Sequence, residues 1–266
     1  MTDRPGPWAS GRFDVEGHRG AKGLVVENTL ESFAAAYAAG VTSVELDVRL
    51  TADGEVVVWH DAVLQPTKCL PTTADYVGAR VADLTLDQLR TVDVGSQTLP
   101  GMPRQRPAPG ARISTLREVL DHGHDAAPHV WWTVELKVNP LDEGEASTCD
   151  ILLEGVLETM HDVGLERQCL MHSFNWSVIE RSAEVAPEVL RSALVLPDVT
   201  WTPQSPWTGS VKVGESHDDI CAAAADVGAQ VISIADVFVE RDFVERAHDH
   251  GLSVLAWTVN DAERLV

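Results

Sequence analysis

Residues 44–61 read VELDVRLTADGEVVVWHD. Two apolar runs, Val44–Val48 and Val56–Trp59, flank a turn at Asp53-Gly54, which is the pattern of two strands. Glu45 and Asp47 stand two apart in the first run, so on a strand both carboxylates point to the same face. The second run ends at His60-Asp61.

Outward from this stretch, short apolar runs alternate with amphipathic segments, which predicts βα units and a parallel sheet. A first strand is expected over Val15–Arg19, ending in Gly-His-Arg-Gly. Asn28 is expected to cap the next helix, with Glu31 reaching back to complete a capping box and Gly40 closing it. Strands are predicted over Val130–Lys137, Gln168–Phe174, Leu190–Leu196, Val231–Ile234 and Leu252–Val259. Helices are predicted over Leu116–His122, Ile151–Val163, Val178–Val185, Asp218–Val227 and Arg241–His250, with one more starting at Asp261. Residues 62–113 break the rhythm: they hold prolines at 66, 71, 100, 103, 107 and 109 and one short helical piece near Leu86–Arg90. That is long for a βα loop and reads as an inserted lid subdomain.

The fold class predicted is α/β, a TIM (β/α)8-type barrel forming one domain over 1–266, with the lid after the second barrel strand. Seven barrel-type strands can be counted, and Val266 falls in the seventh helix. Closure removes sheet edges and calls for an eighth strand, so either the natural chain continues, the favoured expectation, or the last strand is absent and the barrel is gapped.

The chain has 266 residues, 44% of them apolar, enough for one such barrel with a real core. Its 41 acidic and 20 basic residues give a formal charge of −21. Such a field repels nucleic acid and disfavours stable attachment to anionic membranes. A small anionic substrate then needs a metal ion or a few well-placed cations. Cys69, Cys149, Cys169 and Cys221 show no zinc-like spacing and read as reduced thiols. Met1–Asp14 shows no leader pattern and no apolar run approaches a membrane span, so a cytoplasmic protein is expected.

Active sites of α/β barrels sit at the carboxyl ends of strands, and the polar residues collect there. His18 and Arg19 end the first predicted strand, and Glu45 and Asp47 lie near the end of the second. His60, then Glu135 and Lys137, then His172, then Trp257 and Asn260 end later ones. Three carboxylates converging on a barrel mouth repel one another unless a cation lies between them, and oxygen ligands select Mg²⁺ or Ca²⁺. Simple ion pairing of Glu45 and Glu135 with Arg19 and Lys137 is the competing explanation. His18 and His60 are candidate acid and base, because imidazole as a group titrates near neutrality. Arg19 and Lys137 suit a phosphate's non-bridging oxygens. Phe174 and Trp257 are apolar neighbours that fit either a core or a substrate wall, and His172 is at most a pocket liner. The other histidines, among them His122, read as surface residues.

The ordered set His18-Arg19-Gly20, Glu27-Asn28-Thr29-Leu30, Glu45-Leu46-Asp47, His60-Asp61, Glu135-Leu136-Lys137, Ser173-Phe174 and Trp257-Thr258-Val259-Asn260 resembles the glycerophosphodiester phosphodiesterase family. The resemblance implies that Glu45, Asp47 and Glu135 hold one divalent cation, Mg²⁺ or Ca²⁺, that His18 and His60 are catalytic, and that Arg19 and Lys137 contact phosphate. It assigns Glu27 to steadying Arg19 or a histidine. It implies hydrolysis of a small glycerophosphodiester to glycerol 3-phosphate and an alcohol. Val26 stands where the family often has Pro, and Met171-His172 replaces a more usual small or amide residue. Other readings are a lysophospholipid-cleaving or phospholipase D-like relative, a metal-dependent sugar isomerase or aldolase, and a catalytically silent binding barrel. Head-group and oligomeric state are left open.

Overall fold

The chain alternates strand and helix for most of its length. A computed structural model describes residues 6–10, 13–215, 217 and 219–265. Met1–Pro5, Gly11 and Arg12 of the N-terminal stretch, the predicted helix start at Asp218, and Val266 therefore lie outside the described residues.

In chain order the elements are β1 (Glu16–Gly17), α1 (Leu30–Ala39), β2 (Ser43–Leu50), β3 (Val56–Val58), β4 (Leu70–Pro71), α2 (Leu86–Leu89), β5 (Val92–Asp93), α3 (Leu116–Ala126), β6 (Trp131–Leu136), α4 (Glu143–Ser147) and α5 (Cys149–Val163). There follow β7 (Cys169–Ser173), α6 (Trp176–Val185), β8 (Leu190–Val195), α7 (Ile220–Asp226), β9 (Val231–Ala235), α8 (Arg241–Asp249) and β10 (Ser253–Trp257). They fall into two compact units. Gly6–Lys137 with Asp150–Cys169 make one, and Val138–Cys149 with residues 170–265 make the other.

In the first unit β2 is the centre. It pairs in parallel with β1 on one side and β6 on the other, with Asp47 opposite Glu135 in register. β3 turns back antiparallel on β2, so Val58 lies beside Val48, and the Trp59 N–H donates to the Asp47 carbonyl at 2.9 Å. The hairpin thus returns His60 to the level of the two β2 acids, which a parallel strand would not do. The helices cover β6 through aromatic packing. Trp132, 1% exposed, meets the rings of Phe33 and Tyr37 of α1 edge-on, with centroids 5.9 and 6.3 Å away. α3 lies so close that a Cβ at Gly123 would stand 2.0 Å from Trp132 Cζ2; only glycine fits there.

Residues 62–113 carry the small β4–β5 sheet and α2, and they build a core of their own. Leu64, Cys69, Val81, Leu84, Leu89, Val92, Val94 and Ile113 pack on Val57 and Trp59. α2 opens with a complete capping box between Thr85 and Gln88.

The second unit holds the parallel run β7, β8, β9 and β10. Trp176, Ile179, Ala193, Ile232, Phe243 and Leu252 are among its core. Of the described strands, seven pair in parallel.

Several boundaries differ from the sequence reading. β1 is two residues rather than five, because Arg19 turns into the left-handed region at φ 53° and ends the strand. The cap of α1 is Thr29, whose side chain accepts from the Ser32 N–H, not Asn28 with Glu31. Asn28 adopts φ 55°, a conformation Asn tolerates better than most residues. α4 is an additional helix, started by Asp142 capping the N–H groups of Gly144 and Glu145. His122 is no free surface group: its ring stacks on Tyr37 with centroids 5.8 Å apart.

Candidate active site

The His18-Arg19-Gly20 turn is pinned from below by α1. Ser32 Oγ donates to the Arg19 carbonyl at 3.1 Å and accepts from the Ala21 N–H at 2.9 Å. Gly20 has φ 79°, and a Cβ there would sit 2.7 Å from Ser32 Oγ and 2.8 and 2.9 Å from backbone atoms of Ser32 and Phe33. The turn aims the Arg19 N–H at Glu45 Oε2, 2.9 Å away, and places His18 Nε2 3.8 Å from that same oxygen.

The strand geometry brings Glu45, Asp47 and Glu135 together. One oxygen from each lies within 4.8 Å of the others, and the three residues are 4%, 0% and 7% exposed. The local cations are unevenly shared among them. Lys137 Nζ lies 2.6 Å from Glu135 Oε1 and 3.0 Å from Asp47 Oδ1, and Arg19 Nε lies 3.2 Å from Asp47 Oδ2. Asn28 Nδ2 also donates to Asp47 Oδ2 at 2.9 Å. Burial works against the Asp47 charge, but Lys137 and then Arg19 outweigh it and hold its carboxyl well below the usual range. Glu45 is left over. Its Oε1 is buried and accepts no hydrogen bond from the described residues. Burial, then Asp47 and Glu135, push its carboxyl well above the ordinary value. Burial raises Glu135 likewise, against the pull of Lys137.

That imbalance is the test of whether these residues suit a cation. Ion pairing accounts for Asp47 and half of Glu135, but leaves a buried carboxylate oxygen without a donor and an excess of negative charge. Three converging hard oxygens with one uncovered fit a divalent ion of the Mg²⁺ or Ca²⁺ kind.

Both histidines flank the acids, with side chains about a third open: 33% for His18 and 30% for His60. Burial first and Arg19 second bring the His18 imidazole down to about 4. His60 Nδ1 is 2.9 Å from Asp61 Oδ1, and the Arg49 guanidinium Nε donates to the His60 carbonyl at 2.9 Å. Behind the turn Glu27, 4% exposed, is a hub for three cations: Arg19 Nη1 at 3.0 Å, Lys22 Nζ at 2.9 Å and Lys68 Nζ at 2.8 Å. Burial opposes its charge, but Arg19, Lys68 and Lys22 together bring its carboxyl down to about 2.

Against this geometry, the sequence profile described as the glycerophosphoryl diester phosphodiesterase family matches residues 18–266, beginning at His18. The chain belongs to this family. YhdW of Bacillus subtilis (strain 168), provisionally named a glycerophosphodiester phosphodiesterase, is 27% identical over 244 residues, 92% of this chain and 85% of that one. A crystal structure from Silicibacter pomeroyi DSS-3, provisionally named a glycerophosphoryl diester phosphodiesterase, superposes with a TM-score of 0.83 at 31% identity, covering 95% of this chain and 84% of that one. An Oleispira antarctica phosphodiesterase, determined in complex with the product sn-glycerol-3-phosphate, gives 0.71 at 22% identity and covers 98% and 90%. The fold is therefore the TIM-type α/β barrel class of these relatives, and the protein is a phosphoric diester hydrolase. Among the described residues, no helix is long and apolar enough to cross a membrane.

Of the residues expected to act, His18, Arg19, Glu27, Glu45, Asp47, His60, Glu135 and Lys137 are gathered by the first unit. Phe174 and Trp257 belong to the second, where their rings meet edge-on at 5.6 Å, with Trp207 6.4 Å from Phe174. His172 is buried within β7 of that unit. Three members of the first-unit network escaped the sequence reading: Asn28 as a partner of Asp47, and Lys22 and Lys68 as partners of Glu27. Asn28 carries a signal, a polar residue next to Glu27, but one whose type also suits a helix cap. Lys68 gave none, since it lies in the aperiodic insertion.

Proposed function

We propose that this phosphodiesterase hydrolyses a small glycerophosphodiester to glycerol 3-phosphate and an alcohol, using one divalent cation, Mg²⁺ or Ca²⁺, held by Glu45, Asp47 and Glu135. The observation that carries the proposal is the buried triad in which Glu45 Oε1 has no donor among the described residues, with His18 Nε2 3.8 Å from Glu45 Oε2. A cation held there by Glu45, Asp47 and Glu135 would supply Lewis-acid polarisation and help orient the substrate.

The chain's own groups do the rest. Arg19 and Lys137 keep further N–H donors beyond those engaged by the acids and offer them to the non-bridging oxygens, where charge grows in the transition state. Glu27 fixes the Arg19 guanidinium from behind. Of His18 and His60, one takes the proton from the attacking oxygen, from water or the substrate's own 2-hydroxyl, and the other returns one to the leaving alkoxide. Residues 62–113 form the inserted lid. Lys68 from that segment, joined to Glu27 and Asp61, supports this reading. The product named in the Oleispira antarctica structure supports the same product here.

The test is direct. Purified protein is incubated with glycerophosphocholine and glycerophosphoethanolamine, with and without EDTA, and glycerol 3-phosphate is followed. Release in Mg²⁺ or Ca²⁺ that EDTA abolishes is expected. No release from any glycerophosphodiester, or release indifferent to EDTA, overturns the proposal.

A further inference from the structure

Lys68 stands outside every motif that carries the family likeness, in the aperiodic segment 62–113, yet it reaches the acid–base machinery. Its Nζ donates to Asp61 Oδ2 at 2.6 Å and to Glu27 Oε1 at 2.8 Å. The other oxygen of Asp61 faces His60 Nδ1 at 2.9 Å. The ammonium is placed, not draped. It lies 5.8 Å from the centre of the Trp59 ring, within cation–π range, and its side chain is 14% exposed. The backbone around it is held by Gln97, whose Nε2 donates to the carbonyls of Pro66 and Cys69 at 3.1 and 2.8 Å.

We propose that Lys68 is a positioning residue for His60, acting through Asp61, and so makes formation of the acid–base pair depend on the folded insertion. The proposal rests on the phosphodiesterase reading above. A carboxylate shared between an ammonium and an imidazole cannot swing. With Oδ2 fixed by Lys68, Oδ1 accepts the proton of His60 Nδ1, which leaves Nε2 as the nitrogen that exchanges protons with substrate. Without Lys68 the Asp61 carboxylate loses its anchor, and both the ring orientation and the tautomer of His60 are released. The strong depression of the Asp61 carboxyl, in which His60 and Lys68 overcome burial, agrees with a permanently ionised acceptor. Glu27 extends the link, since the same ammonium steadies the carboxylate that holds Arg19.

Steady-state kinetics on glycerophosphocholine and ¹⁵N NMR of the histidine ring nitrogens test this together, with the His60 signals assigned by their loss in His60→Ala. In the wild-type protein at about pH 9, the His60 proton is expected on Nδ1. Lys68→Met should lower kcat by about 10- to 100-fold, the range seen when a group orienting a working side chain is removed. It should leave KM within about twofold and redistribute the tautomer. Lys68→Arg, which can still bridge two carboxylates, should recover most of kcat, and adding Lys68→Met to Asp61→Asn should cost little more than Asp61→Asn alone. A kcat unchanged in Lys68→Met, an effect on KM only, full additivity with Asp61→Asn, or a wild-type His60 with its proton on Nε2 each overturns the proposal. If wild-type protein turns over no glycerophosphodiester, the functional reading fails, while the tautomer of wild-type, Lys68→Met and Asp61→Asn proteins still decides the role of Lys68. Should Lys68→Met not fold, Lys68→Gln, which keeps a donor without the charge, replaces it in both measurements.

Discussion

Glu27→Gln removes one negative charge from the middle of three cations, and its cost can be worked from the structure. The carboxylate is 4% exposed, with ammonium and guanidinium nitrogens at 2.8, 2.9 and 3.0 Å. Its pKa falls from 4.5 to about 2 on folding. At ~1.4 kcal/mol per unit, that is about 3 kcal/mol of stability at pH 7. Breaking a buried ion pair by removing one partner costs ~3–5 kcal/mol, and the low end is expected because Arg19 keeps Asp47 and Lys68 keeps Asp61. For a chain of this size about 3 kcal/mol lowers Tm by roughly 6–12 °C. The sign with pH is fixed: a carboxyl whose pKa is depressed by folding contributes fully above 4.5 and loses its contribution as pH falls through about 2. The gap between wild type and Glu27→Gln should therefore shrink to about 1 kcal/mol at pH 3. Urea unfolding of both proteins at pH 7 and pH 3 measures it. A Gln variant as stable as wild type at pH 7, or a gap that does not change with pH, refutes the reasoning.

Other outcomes follow from the same geometry. His18→Ala and His60→Ala should each cut turnover of glycerophosphocholine by at least ~100-fold with the circular dichroism spectrum unchanged; near-wild-type rates in both remove them from the chemistry. Gly20→Ala combines a left-handed φ with contacts below 3.0 Å to the α1 backbone, so it should lower Tm and displace the His18-Arg19 turn, seen as a joint loss of stability and kcat. Glu16, partly buried and donated to by Thr133, is pushed up to about 7, by burial most and by Asp14 further. An acid raised on folding costs stability as pH climbs from 4.5 toward 7, so Glu16→Gln should flatten the stability profile across that window.

The chemistry of the site was legible where it followed strand periodicity. Glu45 and Asp47, two apart on β2, share a face because side chains alternate, and Glu135 falls opposite Asp47 because β2 and β6 are register partners. Periodicity was weaker where the backbone leaves regular structure. Asn28 suits a cap by residue type, but its left-handed φ turns the side chain inward to Asp47, and Thr29 does the capping. The short β1 could not be foreseen from its apolar content, because Arg19 ends it by its backbone conformation. Lys68 meets Glu27 across 41 residues of sequence, from a segment whose own core of Leu64, Leu89 and Val92 has no barrel repeat. A contact made by an insertion carries no local pattern, so only coordinates could reveal it.

The most direct test of the account is calorimetric titration of metal-stripped protein with Mg²⁺ and Ca²⁺, for wild type and for Glu45→Gln, Asp47→Asn and Glu135→Gln. One site per chain is expected in the wild type, with binding lost or greatly weakened in each variant. Equal binding by all four proteins, or a wild type that binds neither ion yet hydrolyses glycerophosphocholine at full rate in EDTA, would contradict it.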